Sequence, residues 1–106
     1  MAKEIRDCLG EKRKAKLFEC GIPESMHGGI IRYYERGIPP GDFLCAVINN
    51  DLREAMGRAD DVNRHLMFNY MMWFYNNAPG GTWGYSDAAK DWLNRCQAEK
   101  DALRTD

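Results

Sequence analysis

The fold is decided by the stretch Val62–Tyr75, which reads VNRHLMFNYMMWFY. At about 100° per residue, its apolar side chains cover most of a helix circumference, and His65, Asn69 and Asn76 form a narrow polar strip. Such a helix is buried on nearly all sides. A chain of 106 residues has few other helices to cover it, so we predict a homo-oligomer whose second subunit provides the cover. The alternative is a central helix wrapped completely by its own chain.

Helical periodicity continues outward from this stretch, and no strand-like alternation of useful length occurs. We predict an all-α, compact bundle of about five helices in a single domain, residues 1–106, with a charged N-terminal helix or arm at 1–20 and a core at 22–95. Gly37 is predicted to end the second helix, Asp42 and Ser86 to cap the third and fifth, and Asp60 and Asp61 to begin the fourth. The predicted helices span about residues 2–19, 24–36, 42–56, 60–77 and 86 onward.

Composition and charge exclude several classes of protein. The chain is 44% hydrophobic and 29% charged, as in an ordinary globular domain, and its net charge of −1 gives no electrostatic reason to expect nucleic-acid or membrane binding. The four cysteines, at 8, 20, 45 and 96, lack the short spacing of a zinc site. The N-terminus lacks the apolar segment of a secretory signal. We expect a cytoplasmic protein without metal or cofactor.

Ionisable side chains fall on the apolar face of the third predicted helix. By angular position Asp51 lies among its apolar residues, and Arg58 follows almost in line. Asn63 occupies a similar position one turn into the next helix, so that Asn50, Asp51, Arg58, Asp60 and Asn63 bracket one helix–helix corner. A buried carboxylate must be paired and hydrogen-bonded. The corner is therefore either a structural network or a polar pocket that selects a ligand by hydrogen bonds.

Arginine replaces lysine through the middle of the chain. Lysine is absent from residue 17 to residue 89, whereas arginine occurs at 32, 36, 53, 58 and 64. The planar guanidinium suits phosphate and stacks on bases. We therefore predict a nucleotide-sized site with arginines on the phosphates, Asp51 and Asn63 on ribose or base, and a tyrosine or tryptophan that stacks. The predicted ligand-binding residues are Arg32, Tyr33, Arg36, Asn50, Asp51, Arg58, Asp60 and Asn63.

Catalytic signatures are weak. The sequence contains no G-x-S-x-G, phosphate-loop or H-E-x-x-H motif. His27 lies on an apolar face, where a histidine is more often a hydrogen-bonded core residue than a base. Gly28-Gly29 is more typical of close helix approach than of a phosphate cradle. We predict no catalytic residue.

The segments around the predicted corner carry a family resemblance. They read GIPPGDFL at Gly37–Leu44, NDL at Asn50–Leu52, and RAD at Arg58–Asp60, followed by Asn63. With this pattern, GIPPG-x-F-L … N-D-L … R-A-D-x-x-N, the chain resembles a family of small proteins encoded by bacteriophages and prophages of proteobacteria, over roughly residues 22 to 95. The resemblance implies a viral accessory protein that counters host defence, and its polar positions match Asp51, Arg58, Asp60 and Asn63.

Three hypotheses follow from the residues and the resemblance together. The first is an oligomeric protein that sequesters a nucleotide-derived immune signal without catalysis. The second is a protein-interaction inhibitor of a host defence complex, which would use acidic faces with Glu35, Asp42 and Glu54. The third is a small enzyme that degrades such a signal. A structural or regulatory phage protein with no ligand is the remaining alternative.

Overall fold

The structure, a computed structural model, describes residues 9–103. All regular elements in this range are helices, which confirms the all-α prediction, and they form a compact globule with a radius of gyration of 13.8 Å. The predicted number of five helices is wrong, because the third and fourth predicted helices are each broken in two. The helices are α1 (Gly10–Glu19), α2 (Glu24–Arg36), α3 (Asp42–Ile48), α4 (Leu52–Arg58), α5 (Asp61–His65), α6 (Met67–Asn77) and α7 (Ala88–Leu103).

Helix α2 ends at the predicted glycine. Gly37 has φ 68°, in the left-handed region, and its N–H donates to the carbonyl oxygen of Tyr33 over 3.2 Å. The N–H of Ile38 donates to the carbonyl oxygen of Arg32 over 3.3 Å, so a second carbonyl at the end of the helix has a partner. A Cβ at position 37 would lie 2.6 Å from Cβ of Cys96. The glycine therefore ends α2 and also allows α7 to pack against it.

The third predicted helix is interrupted between α3 and α4. Asn50 adopts φ 59°, and the Asp51 side chain accepts a hydrogen bond from the N–H of Glu54 over 3.1 Å. Asparagine tolerates the left-handed region, and aspartate is a favoured N-cap residue, so the Asn-Asp pair ends one helix and begins the next. The prediction of one continuous helix to residue 56 is wrong for this reason. Asp42 is the first residue of α3 and makes no cap hydrogen bond.

The fourth predicted helix is broken in two, and the fifth begins later than predicted. Asp60 caps α5 by accepting from the N–H of Asn63 over 2.8 Å, as predicted, but the helix breaks at Leu66 before α6 begins. Helix α7 begins at Ala88, two residues after Ser86. The N–H of Ala89 is satisfied by Oδ1 of Asn49, which approaches from the end of α3 at 2.9 Å. A long-range contact therefore fixes the beginning of α7.

The core is an aromatic cluster shared by α2, α6 and α7. Tyr33, Tyr34, Trp73 and Trp92 are at most 1% exposed, and the Tyr34 ring lies 6.3 Å from the Trp73 ring and 5.5 Å from the Trp92 ring. The indole N–H of Trp92 donates to the carbonyl oxygen of Tyr33 over 2.8 Å. The Tyr34 hydroxyl lies 3.0 Å from Oγ1 of Thr82, which attaches the loop before α7 to the core. The Trp92 indole and the Tyr34 hydroxyl thus each have a partner inside the core.

Among the described residues, helix α6 is buried on one side and exposed on the other. Tyr70, Trp73 and Phe74 have no exposed surface, whereas Phe68 and Tyr75 are 72% and 78% exposed. The alternative of a completely wrapped central helix is therefore wrong. Within residues 9–103, no helix combines the length and the apolar character that crossing a membrane requires.

Candidate ligand-binding site

Two arginines of α2 share one groove. Arg32 and Arg36 are four residues apart and therefore lie on the same helix face. Together with Gly28, Ile31 and Glu35 they line a groove with a cavity volume of about 250 Å³, here called the α2 groove. Within the part of the chain that the structure describes, neither guanidinium forms an ion pair with a carboxylate. Both charges are thus free to meet an anion from solution.

Gly28 sets the position of the first arginine. A Cβ at this position would lie 2.8 Å from Nη1 of Arg32, so the guanidinium rests directly against the helix backbone. Any larger residue would displace the end of the arginine side chain. Gly29, the next residue, differs because a Cβ there would make an ordinary contact of 3.5 Å with Cδ1 of Leu44. The glycine pair therefore has two separate functions, only one of which is the close helix packing that the sequence predicts.

The carboxylate in the α2 groove is neutralised from α1. Glu35 is 2% exposed, and Nζ of Lys14 lies 2.8 Å from its Oε2, within ion-pair distance but outside hydrogen-bond geometry. A buried carboxylate with a lysine at this distance presents little net charge to the groove. Because Lys14 offsets the charge of Glu35, the positive charges of Arg32 and Arg36 remain in excess, and the α2 groove is cationic.

A second concavity lies between α4 and α6. Its cavity volume is about 170 Å³, and six apolar residues of α3, α4 and α6 line it together with Asn50 and Asp51. It is here called the α4–α6 cavity. No described residue lines both this cavity and the α2 groove. Of the predicted site residues, Arg32 and Arg36 line the groove, Asn50 and Asp51 line the cavity, and the other four line neither.

The predicted inward orientation of Asp51 and Arg58 is wrong. The break at residues 49–51 removes Asp51 from the apolar face of the helix and leaves it exposed as the N-cap of α4. The Arg58 side chain is 54% exposed, and it pairs with Glu54 at 2.7 Å and with Asp42 at 3.4 Å. These groups are solvated, so no buried charge at the corner requires a ligand.

Asn63 is buried as predicted, but its partners belong to the protein. It is 7% exposed, its Oδ1 accepts from the Tyr70 hydroxyl over 2.6 Å, and its N–H donates to Asp60. The structural-network interpretation thus describes Asp60 and Asn63. Burial raises the pKa of the Tyr70 phenol, with the nearby Asp60 carboxylate as the second cause, so Tyr70 stays a donor to Asn63.

Tyr33 lies in the core and does not reach the α2 groove. It has no exposed surface, and within the described residues its hydroxyl is buried without a hydrogen-bond partner. Burial, with a smaller contribution from Tyr34, raises the pKa of this phenol far above its usual value. A stacking role for Tyr33 would require the core to open. Consecutive helix residues point about 100° apart, so Tyr33 faces the core while Arg32 faces the groove.

The structure reduces the acidic face of the second hypothesis. Glu35 is buried against Lys14, whereas Asp42 and Glu54 are exposed and share a single guanidinium, that of Arg58. Because one guanidinium cannot neutralise two carboxylates, Asp42 and Glu54 keep a net negative charge at the surface.

The described residues give little support for a catalytic or metal-binding site. Nε2 of His27 lies 2.7 Å from the carbonyl oxygen of Ile22, and the ring packs edge-on against Phe18. Cys20, Cys45 and Cys96 are free thiols, and Cys8 lies outside the described residues. Within residues 9–103, no group of three or more histidine, cysteine, aspartate or glutamate side chains is arranged to hold a metal ion.

The structure adds Gly28, Lys14 and Glu35 to the predicted arginines. The spacing of Gly28, Arg32 and Arg36 at four-residue intervals is a sequence signal for a shared face, but the ion pair between α1 and α2 has none. Searches against protein families, curated proteins and solved structures find no significant match to this chain. The geometry of the α2 groove therefore carries the functional argument.

Proposed function

We propose that the protein is a non-catalytic binding protein that captures a phosphate-bearing, nucleotide-like small molecule in the α2 groove. The observation that carries this proposal is the pair of arginines, Arg32 and Arg36, which line one groove without an ion pair to any described carboxylate. Guanidinium groups bind phosphate through two parallel hydrogen bonds, and two on one helix face can hold two phosphate groups or one from two sides.

The size of the groove limits what it holds. A cavity of about 250 Å³ is smaller than a typical small-molecule site of roughly 300–1,000 Å³. We therefore expect the groove to enclose the phosphate-bearing end of the ligand, with Ile31 in contact with its sugar or base. None of the described residues that line the groove is aromatic, so base stacking is not part of the proposal for the groove itself.

The biological setting of the proposal comes from the family resemblance. A small phage protein that binds a nucleotide tightly would lower its free concentration without destroying it, which suffices to silence a nucleotide-derived immune signal in the bacterial cytoplasm. Capture of this kind needs no general base or nucleophile. The enzyme and protein-inhibitor hypotheses remain outcomes that the following experiment distinguishes.

The proposal is tested by calorimetric titration with a panel of cyclic and ADP-ribose-derived nucleotides. We expect saturable binding to at least one of them, no binding of the matching unphosphorylated nucleoside, and recovery of the nucleotide unchanged by chromatography. R32A and R36A should each weaken binding by about ten- to a hundredfold, the usual effect of losing a charged hydrogen bond.

Arg53 provides the matched control. It is an exposed arginine on α4 that forms no ion pair with a described residue and does not line the groove. R53A should bind the nucleotide like the unmodified protein. Absence of heat with every nucleotide, from protein shown to be folded, contradicts the proposal. A chemically altered product would favour the enzyme, and a stoichiometric host protein in a pull-down would favour the inhibitor.

A further inference from the structure

The outer face of α6 is a line of exposed apolar side chains. Phe68, Met72 and Tyr75 follow one another at intervals of four and three residues, so they share one helix face, and they are 72%, 38% and 78% exposed. On α4, Leu52 and Met56 are 62% and 37% exposed. These five residues are here called the α4–α6 surface. The α4–α6 surface thus exposes to water an apolar face of the kind that a globular protein normally covers by packing.

The α4–α6 cavity opens beside this surface. Leu52 lines the cavity and also belongs to the surface, and Met67 and Met71, on α6, form its opposite wall. Its volume of about 170 Å³ is close to the volume of an apolar cavity, about 150 Å³, that accepts a benzene molecule. The cavity therefore matches a phenyl ring, and the neighbouring Phe68 presents such a ring to solvent. One surface carries both a projecting side chain and a cavity of the corresponding size.

The area of the surface fits a dimer. At about 200 Å² for each large side chain, weighted by its exposed fraction, the exposed apolar area of the α4–α6 surface with the cavity walls is roughly 600 Å². This equals the upper end for the largest patch on a typical monomer, roughly 300–600 Å². With a polar rim it approaches the roughly 800 Å² per partner of a standard interface. A net charge of −1 per chain gives little repulsion between two copies.

We propose that the α4–α6 surface binds a second copy of this chain across a two-fold axis. In a two-fold interface the same patch is used by both partners, so Phe68 of each copy inserts into the α4–α6 cavity of the other. This arrangement covers both exposed rings and fills both cavities. The interface shares no residue with the α2 groove, so it goes beyond the proposed ligand binding and does not depend on it.

The test is sedimentation equilibrium of the full chain over a wide range of concentration, without nucleotide. We expect a monomer–dimer equilibrium with a dissociation constant in the micromolar range or tighter. F68E should weaken it by about thirtyfold or more, the range of an interface hot spot. F18E is the matched control, because Phe18 is 63% exposed on α1 and belongs neither to the α4–α6 surface nor to the lining of the α4–α6 cavity. R32A should leave the dimer unchanged, which separates this test from that of the proposed function.

Circular dichroism of F68E and F18E shows whether each variant is folded. A second variant, Y75E, should weaken the dimer as well. A protein that stays monomeric at every concentration overturns the proposal, whether or not it retains an apolar small molecule or another protein at this surface. A dimer that F68E and Y75E leave intact also overturns it, because the interface would then lie elsewhere.

Discussion

Helices α2 and α6 are alike on their inner faces and opposite on their outer faces. Inside, Tyr33 and Tyr34 of α2 meet Trp73 of α6 in the same aromatic cluster. Outside, α2 presents two arginines over a groove, whereas α6 presents phenylalanine, methionine and tyrosine. The comparison teaches that each helix uses one side for the core and presents the other side to solvent. The outer faces differ in chemistry, and we propose a small anion for one and a second copy for the other.

The largest expected effect separates the two faces of α6. W73A should lower the free energy of unfolding by about 3–5 kcal/mol, because it removes a fully buried indole and leaves a cavity. F68A should change the stability of the monomer by no more than about 0.5 kcal/mol, because that ring is 72% exposed. Urea denaturation, at a protein concentration below that of dimerisation, measures both changes in stability. Equal losses in the two variants would contradict the assignment of inner and outer faces.

The next effect concerns the end of α2. G37A should destabilise the protein by roughly 2–4 kcal/mol, because alanine is strained at φ 68° and its Cβ would lie 2.6 Å from Cβ of Cys96. G57A is the control, since a Cβ there meets nothing within 4 Å and alanine favours a helix interior by about 0.5–1 kcal/mol. Thermal or urea unfolding should therefore move in opposite directions for the two variants. A neutral G37A would show that α7 does not pack at this distance.

A smaller effect compares two buried phenols. Y70F should cost about 1–3 kcal/mol, because it removes the 2.6 Å hydrogen bond to Asn63 and leaves a buried amide oxygen without its donor. Y33F should be neutral or stabilising by about 1 kcal/mol, because that hydroxyl is buried without a partner among the described residues. Urea denaturation measures the difference. A loss of nucleotide affinity in Y33F at unchanged stability would instead support the ligand role that the sequence predicts for Tyr33.

Alkaline pH should destabilise the protein through the same two phenols. Burial raises the pKa of Tyr33 and of Tyr70 in the folded state above the unfolded value of about 10. The unfolded chain therefore loses these protons first, and stability that is complete below about pH 10 falls as the pH rises toward the folded pKa. Urea denaturation at a series of pH values from 8 to about 11 measures this slope. Y33F should have a shallower slope, and an unchanged slope would contradict the burial of Tyr33.

The smallest expected effect is the most specific to the α2 groove. G28A should weaken nucleotide binding by roughly three- to tenfold, about 1 kcal/mol, because the added Cβ displaces the Arg32 guanidinium. G29A adds the same methyl group one residue away, in ordinary contact with Leu44, and should leave binding unchanged. Both variants should unfold at a slightly higher denaturant concentration than the unmodified protein, because alanine replaces glycine in a helix. Equal nucleotide affinities of G28A and G29A would show that Arg32 does not belong to the binding site.

The sequence predicts the local features of this fold better than its polar corner. The ends of α2, the cap at Asp60 and the burial of Asn63 follow from short-range rules, and the structure agrees with them. The angular argument for Asp51 fails because it assumes one continuous helix. Asn50 in the left-handed region shifts the register of everything that follows. Asparagine and aspartate favour caps and turns, so the run Asn49-Asn50-Asp51 is a sequence signal for this break that the angular argument does not use.

The candidate site is predicted in part for a similar reason. Arg32 and Arg36 share a face by spacing alone, so their partnership is a local property of α2. The ion pair between Lys14 and Glu35 joins two helices, and its consequence for the charge of the groove depends on how α1 packs on α2. The stacking role predicted for Tyr33 rests on the tendency of tyrosine rings to stack on bases, yet Tyr33 lies inside the core. Tertiary packing decides the charge of the groove, and helical periodicity does not determine it.

The most direct test of the central claim observes the two guanidinium groups themselves. Proton–nitrogen NMR of the arginine side chains, during titration with the cyclic and ADP-ribose-derived nucleotides, reports on each Nε–H separately. The account predicts saturable shifts of the Arg32 and Arg36 signals at a common ligand concentration, with Arg53 unchanged. If every nucleotide leaves the Arg32 and Arg36 signals in place, or moves Arg53 equally, the α2 groove is not a binding site for phosphate.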